Sequence, residues 1–203
     1  MLSVNILRGK TVRLTAVNKA DLPTLVRWYQ DAGLLRLWNA DAAVPRSEAE
    51  LVKWLDEEEK KPNGYRFAIR PLEGDDLLGY VEIDGILWPH QVGWLSIGIG
   101  DRTNWGQGYG REATELGLNF AFGELNLHRL QLTVFEYNAR AIALYEKLGF
   151  RREGVYREFM QRDGQRYDMY LYGLLRPEWE APNSIHPKKG IDHERQEDPD
   201  ARR

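Results

Sequence analysis

Between residues 65 and 116 the sequence leaves few folds open. Three segments of strand character succeed one another: "YRFAIR" (65–70), "LLGYVEIDGI" (77–86) and "VGWLSIGI" (92–99). The links "PLEGDD" and "LWPHQ" are short and carry the Gly, Pro and Asp of tight turns, so the three read as an antiparallel meander. The third runs into "TNWGQGYGREATEL" (103–116), where Gly106, Gly108 and Gly110 fall within five positions just ahead of a helix. Each glycine weakens a regular element by roughly 0.5–1 kcal/mol relative to alanine, so three together need a reason in backbone geometry or in a ligand. A meander that turns through glycines into a helix requires a mixed α/β architecture.

The flanks extend the same pattern. "TVRLTA" (11–16) alternates as a first strand, and a helix is expected from Asp21, with Pro23 tolerated in its first turn and a stop near Gly33. "SEAE" (47–50) is a capping box that opens a second helix running to Glu59. After the glycine loop come a helix to about Phe122, the strand "RLQLTVF" (129–135), and the helix "NARAIALYEKLG" (138–149) with Asn138 as N-cap and Gly149 as stop. Two last strands, 151–159 and 166–174, flank "RDGQ", an Asp-Gly hairpin turn. Beyond Pro177 the chain is polar, and an irregular tail is expected.

The 203 residues suffice for one medium domain, and 42% hydrophobic with 29% charged residues is ordinary globular composition. A formal charge of −3 with no basic stripe gives no reason to expect a nucleic-acid partner. The absence of cysteine rules out disulfides and thiolate chemistry and fits a reducing cytoplasm. No apolar run approaches the roughly 20 residues of a membrane span, and "MLSVNILRGK" lacks a signal-peptide core. The four histidines (90, 128, 186 and 193) lack helical ligand spacing, so no metal is expected.

Three readings of the glycine loop compete. Glycines before a helix let backbone N–H groups converge on an anion, with the helix N-terminus adding positive potential. A P-loop would end Gly-Lys-Ser/Thr, but this one ends Gly-Arg-Glu. "GYGREA" (108–113) formally fits the dinucleotide fingerprint, although Asp101 to Trp105 intervene where that turn should be tight. Close packing at a strand–helix corner is the third reading.

A segment further along the chain bears on that choice. "VFEYNARAIALYEKLGF" (134–150) resembles the closing motif of the GNAT superfamily, the acetyl-CoA-dependent N-acetyltransferases. "WGQGYGREA" (105–113) resembles that superfamily's pyrophosphate-binding motif, in the form of the branch acetylating ribosomal-protein N-termini and spermidine. The likeness covers roughly residues 8 to 179, which implies a GNAT domain over 1–179 and a polar tail over 180–203. It implies an α/β fold with a mostly antiparallel, splayed sheet of about seven strands and about four flanking helices.

The resemblance also implies roles for particular residues. Asn104, Trp105, Gly106, Gln107, Gly108, Tyr109, Gly110 and Arg111 would hold the coenzyme A pyrophosphate, chiefly through backbone N–H groups. Trp105 stands where the motif often has Gln or Arg. Ile97, Gly98 and Ile99 would pair edgewise with the peptide-like pantetheine arm. Asn138 bonds the pantetheine or caps its helix, and Arg102 with Arg111 are candidates for the ribose phosphate. Tyr145 is the implied acid for the departing thiolate, since a phenol with a pKa near 10 stays protonated at pH 7.

The amine needs a base to the extent that it is protonated. A lysine-like amine is roughly 0.1% neutral near pH 7, a cost of about 4–5 kcal/mol, whereas an α-amine costs about 1 kcal/mol. Glu82, on a strand face shared with Tyr80 and Asp84, is the candidate base; His90 and His128 are weaker ones. The acceptor pocket is expected in the N-terminal half, from Trp28, Tyr29, Trp38 and Trp54 with Asp31, Glu48, Glu50 and Glu57 to Glu59. The sequence thus predicts a cytoplasmic N-acetyltransferase that uses acetyl-CoA, no metal, and a small-molecule or peptide amine as direct attacker. A homodimer is the family expectation. A catalytically silent coenzyme-binding module and a dinucleotide enzyme are the rivals.

Overall fold

The computed structural model describes residues 5–58, 60 and 62–183. Residue 59, the side chain at 58, histidines 186 and 193 and the rest of 184–203 lie outside the described residues. Seven strands form one sheet: β1 (Val12–Thr15), β2 (Tyr65–Pro71), β3 (Gly79–Leu87), β4 (Val92–Ile99), β5 (Arg129–Phe135), β6 (Arg151–Arg162) and β7 (Gln165–Leu175). Their spatial order is β1-β2-β3-β4-β5-β7-β6. The meander forms as its sequence predicts, with Tyr65 opposite Ile83 and Gly79 opposite Ile99.

The β4–β5 pair is the parallel one, and it holds only from Val92↔Arg129 to Trp94↔Gln131. Past that point β4 stays with β3 and β5 stays with β7, so the two strands diverge along the rest of their length. The sheet is continuous at one end and forked at the other.

Period-two alternation puts opposite faces of the strands into separate cores. On one face, α4 (Tyr109–Asn119) and α5 (Ala139–Lys147) pack over Ile69, Val81, Leu95, Leu130 and Leu132. On the other, α1 (Leu22–Tyr29), α2 (Ala32–Trp38) and α3 (Glu48–Glu58) bury Leu25, Trp28, Leu34 and Leu51 against Ala68. A fully buried leucine contributes about 1.5–3 kcal/mol, so both helix layers are firmly held.

Two helices depart from expectation, giving six α-helices among the described residues instead of about four. The predicted first helix ends at Tyr29, and the chain restarts at α2, where the Asp31 side chain accepts from Leu34 N–H at 3.0 Å. Gly33 is inside α2 and stops nothing; a Cβ there would sit 2.8 Å from Arg102 Nη2, which reaches Asp31. Among the described residues the stretch just after Pro177 is not irregular either, since it lies within α6 (Arg176–Asn183). Proline suits a first turn, Glu178 accepts from Leu175 N–H at 2.9 Å, and Arg176 pairs with Glu180 at 2.6 Å. The Ser47–Glu50 capping box forms, with Ser47 N–H donating to Glu50 at 2.8 Å.

Candidate active site

The fork between β4 and β5 opens into a cleft of about 1630 Å³. At one end lies the glycine loop. Gly106 and Gly108 have φ of 76° and 88°, in the left-handed region that glycine adopts without steric cost. No protein atom lies within 4 Å of where a Cβ would stand on either, so backbone conformation, not crowding, explains these two glycines. Gly108 is the N-cap of α4, and the N–H groups of Tyr109, Gly110 and Arg111 fall in its first turn, where a helix offers them no acceptor.

Trp105 ties this loop to the sheet. Its indole N–H donates to the Ile99 carbonyl at 2.9 Å, and its ring lies 4.4 Å from the Arg140 guanidinium and 5.7 Å from that of Arg102. Glu112 anchors the other side, accepting from Thr11 N–H at 2.9 Å, from the Thr11 hydroxyl and from Lys10 N–H. Burial raises its pKa, but the hydrogen bonds outweigh that and hold its carboxyl below the usual range.

In the middle of the cleft, Ile97, Gly98 and Ile99 present the part of β4 that has no β5 partner. Gly98 is required by packing: a Cβ there would come within 2.7 Å of the Trp38 ring. Across the fork, Asn138 caps α5 through Ala141 N–H at 3.3 Å and reaches the Leu37 carbonyl at 3.5 Å. Tyr145 lies two turns further along α5, 5% exposed, edge-on to Phe150 at 5.8 Å. Burial pushes its hydroxyl up to about 12.

The other end of the cleft is made of side chains. Tyr80, Glu82 and Asp84 line it together from one face of β3, as the alternation predicts. Glu82 is 8% exposed and accepts from Arg66 Nη2 at 2.7 Å. Arg66 lies 4.3 Å from the Trp54 ring and 5.8 Å from that of Tyr80, whose hydroxyl burial pushes up. Trp38 stands edge-on to Tyr80 at 5.3 Å, and Arg46 lies over Tyr29 at 5.1 Å.

Several expected residues are elsewhere. Trp28 is core, at 2% exposure, because α1 turns it inward. The acids of the N-terminal half serve as caps and surface pairs: Asp31 with Arg102, Glu50 with Ser47, Glu57 with Lys53. The described acids that line the cleft are Asp41, Glu82 and Asp84. Gln107 is exposed and off the cleft, as are Arg102, His90 and His128; Arg111 lines it while paired with Glu115 at 2.9 Å. Arg66, Arg140 and Trp94 also line the cleft; Arg140 lies within the closing motif at 134–150 with no role expected of it there, and Arg66 and Trp94 stand in strands with no motif that would reveal them.

The dinucleotide reading also fails on topology. The loop comes after β4, an antiparallel neighbour of β3, through a 3-10 turn at Arg102–Asn104, where that fold needs a tight turn from a parallel strand. The chain belongs to the GNAT acetyltransferase family, whose domain model, "Acetyltransferase (GNAT) domain", matches residues 11–151. It is an acetyl-CoA-dependent N-acetyltransferase acting on amines. The chain is similar to the N-acetyltransferase p20 of Bacillus licheniformis, 25% identical over 170 residues that cover 83% of this chain and 94% of that protein. It is 28% identical to the spermidine N(1)-acetyltransferase of Escherichia coli over 144 residues, 71% of this chain and 75% of the other. Among solved structures, the spermidine N-acetyltransferase of Vibrio cholerae in complex with CoA and spermine superposes with a TM-score of 0.76 at 25% identity, covering 83% of this chain and 97% of that one. Among the described residues no helix is long and apolar enough to cross a membrane.

Proposed function

We propose that Tyr145 and Glu82 act as acid and base in the transfer of an acetyl group to a primary amine, and that the glycine loop and the β4 edge hold acetyl-CoA. One observation carries this reading. A single cleft is lined by the glycine loop at one end, by the unpaired stretch of β4 and Tyr145 in the middle, and by Glu82 at the far end. The positive φ of Gly106 and Gly108 and the open space beside them suit a pyrophosphate. The first-turn amides of α4, with Asn104, Trp105, Gly106, Gln107, Gly108, Tyr109, Gly110 and Arg111, hold it. Gln107 contributes through its backbone alone. Ile97, Gly98 and Ile99 offer strand hydrogen-bonding groups to the pantetheine amides, and Asn138 faces them from α5.

Acetyl-CoA supplies an activated thioester, and the protein manages the protons. Glu82 takes the proton that the amine must shed, directly or through a water. Tyr145 holds a proton on Oη beside the sulfur position. Its raised pKa keeps that proton in place across the whole range in which amines deprotonate. Asp41 and Asp84, with the Trp38 ring, attract the amine as a cation.

The acceptor is an alkyl amine of the polyamine type, in keeping with the spermidine enzymes among its relatives. Arg46 and Arg66 on the same wall favour a second reading, an amine with an anionic or peptide portion such as a protein N-terminus. Free-thiol release from acetyl-CoA with spermidine, short diamines and N-terminal peptides compares the two. Turnover of peptides without polyamines would overturn the first reading. The catalytic domain spans 1–179 with a tail at 180–203, although α6 carries helix across that boundary. The absence of cysteine supports a cytoplasmic setting. Tyr156 and Phe159, exposed on the edge strand β6, support a homodimer.

A further inference from the structure

The segment after α2, residues 39–46, has no regular structure and yet forms a wall of the acceptor end. Asn39, Ala40, Asp41, Val44 and Arg46 all line the cleft from it. Such a segment needs to be held from outside, because its own backbone supplies little: within it, Val44 N–H bonds the Ala42 carbonyl at 2.9 Å.

The hold comes from the tip of the β6–β7 hairpin. Arg162 Nη2 donates to the carbonyls of Asn39, Ala40 and Asp41 at 3.1, 3.1 and 3.0 Å. Three successive carbonyls turned toward one point repel one another through their dipoles, and a cation makes that arrangement favourable. The neighbouring Asp163 pairs with Arg36 of α2 at 2.6 Å. The turn sets both side chains, with Asp163 at φ 52° and Gly164 at φ 79° as an Asp-Gly hairpin turn demands. On the inner side, the Tyr137 hydroxyl donates to the Arg36 carbonyl at 2.7 Å. The stretch 36–41 is therefore stitched to β6, to the β6–β7 turn and to the β5–α5 junction.

We propose that Arg162 is a positioning residue for the acceptor: by gathering the carbonyls of residues 39–41 it holds the wall that carries Asp41 and thereby sets affinity for the amine. Arg162 itself lines no part of the cleft and acts through the carbonyls of residues 39–41, which stand on the wall proposed for the amine. The kinetic half of this inference rests on the acceptor reading given above; the structural half does not.

The test compares Arg162→Ala and Arg162→Lys in the full chain, by hydrogen exchange of the hydrogen-bonded Asn39 and Val44 amides and by steady-state kinetics with both substrates. Arg162→Ala should speed exchange in the loop about tenfold and raise the amine KM about tenfold, the loss of one charge-assisted bond set. Its kcat and acetyl-CoA KM should stay within about twofold. The lysine ammonium carries three donors for the same three carbonyls, so Arg162→Lys should recover most of both effects. Unchanged loop exchange in Arg162→Ala overturns the proposal, and so does a lysine variant as impaired as the alanine one. A parallel loss in kcat and in both KM values would mark a general structural role and overturn it too. A wild-type chain that turns over no amine overturns the acceptor reading, while the exchange result still decides whether Arg162 holds the wall.

Discussion

The two ends of the cleft are built from different materials. The glycine-loop end is backbone: first-turn amides of α4, two left-handed glycines and the unpaired stretch of β4, all within residues 97–111. The end proposed for the acceptor is side chains drawn from α1, α2, α3, β2, β3 and the loop at 39–46. A backbone site tolerates side-chain change and binds a chemically constant group. A side-chain site changes with each substitution and can be retuned from one amine to another.

That contrast can be broken at several points. Tyr145→Phe sits between the two ends and should have the largest effect, lowering kcat about 10²–10⁴-fold through loss of the acid. Acetyl-CoA affinity, read by calorimetry, should be kept; if it falls in step with kcat, Tyr145 is a packing residue instead. In the wild type, kcat/KM should rise with pH as the amine deprotonates. Because burial raises Tyr145 to about 12, no fall traceable to that hydroxyl should appear below about pH 11. A descending limb near pH 9 that vanishes in Tyr145→Phe would contradict this.

Glu82→Gln belongs to the acceptor end. It should lower kcat/KM about 10²-fold for an alkyl amine at pH 7 and about tenfold for an α-amine, which needs less help to become neutral. Equal losses for the two amines would show that Glu82 serves only to pair Arg66. Gly108→Ala tests the backbone end. A left-handed alanine costs about 1–2 kcal/mol, so acetyl-CoA affinity should fall about tenfold while the amine KM holds. Movement of the amine KM instead would dissolve the division between the ends. The smallest effect is Asn138→Ala, where loss of the cap costs about 1 kcal/mol and lowers Tm by about 2–4 °C. A larger loss of acetyl-CoA affinity than of stability would show the side chain in contact with the cosubstrate.

The same contrast governs how much the sequence makes legible. The strand meander, the Ser47–Glu50 box, the Asn138 cap and the Asp163–Gly164 turn are local signals, and each stands where its signal puts it. The backbone geometry of the glycine loop is legible for the same reason, since the positive φ of Gly106 and Gly108 belongs to those residues themselves. The acceptor wall is not. Arg162 meets its carbonyls across 121 to 123 residues, and Glu112 reaches Lys10 across 102. Acids gathered near aromatics in sequence are drawn off to cap helices, as Asp31 and Glu50 are, while Asp41 enters the cleft from a loop with no motif. The restart at α2 and the start of α6 escape for a related reason: each is decided by a single capping carboxylate, Asp31 or Glu178, whose effect depends on where the chain is already turning.

The fork in the sheet has a consequence for the protein at rest. Past Trp94 and Gln131 two strands show each other bare inner edges, and a bare edge will accept any extended chain that offers the right spacing. In the proposed complex the pantetheine arm fills that gap, so the cosubstrate doubles as a stopper against illegitimate strand addition. At about a hundredfold excess over its Kd it would also add about 2.7 kcal/mol to the folded state. In that complex, binding the cosubstrate and covering the open edge are one event.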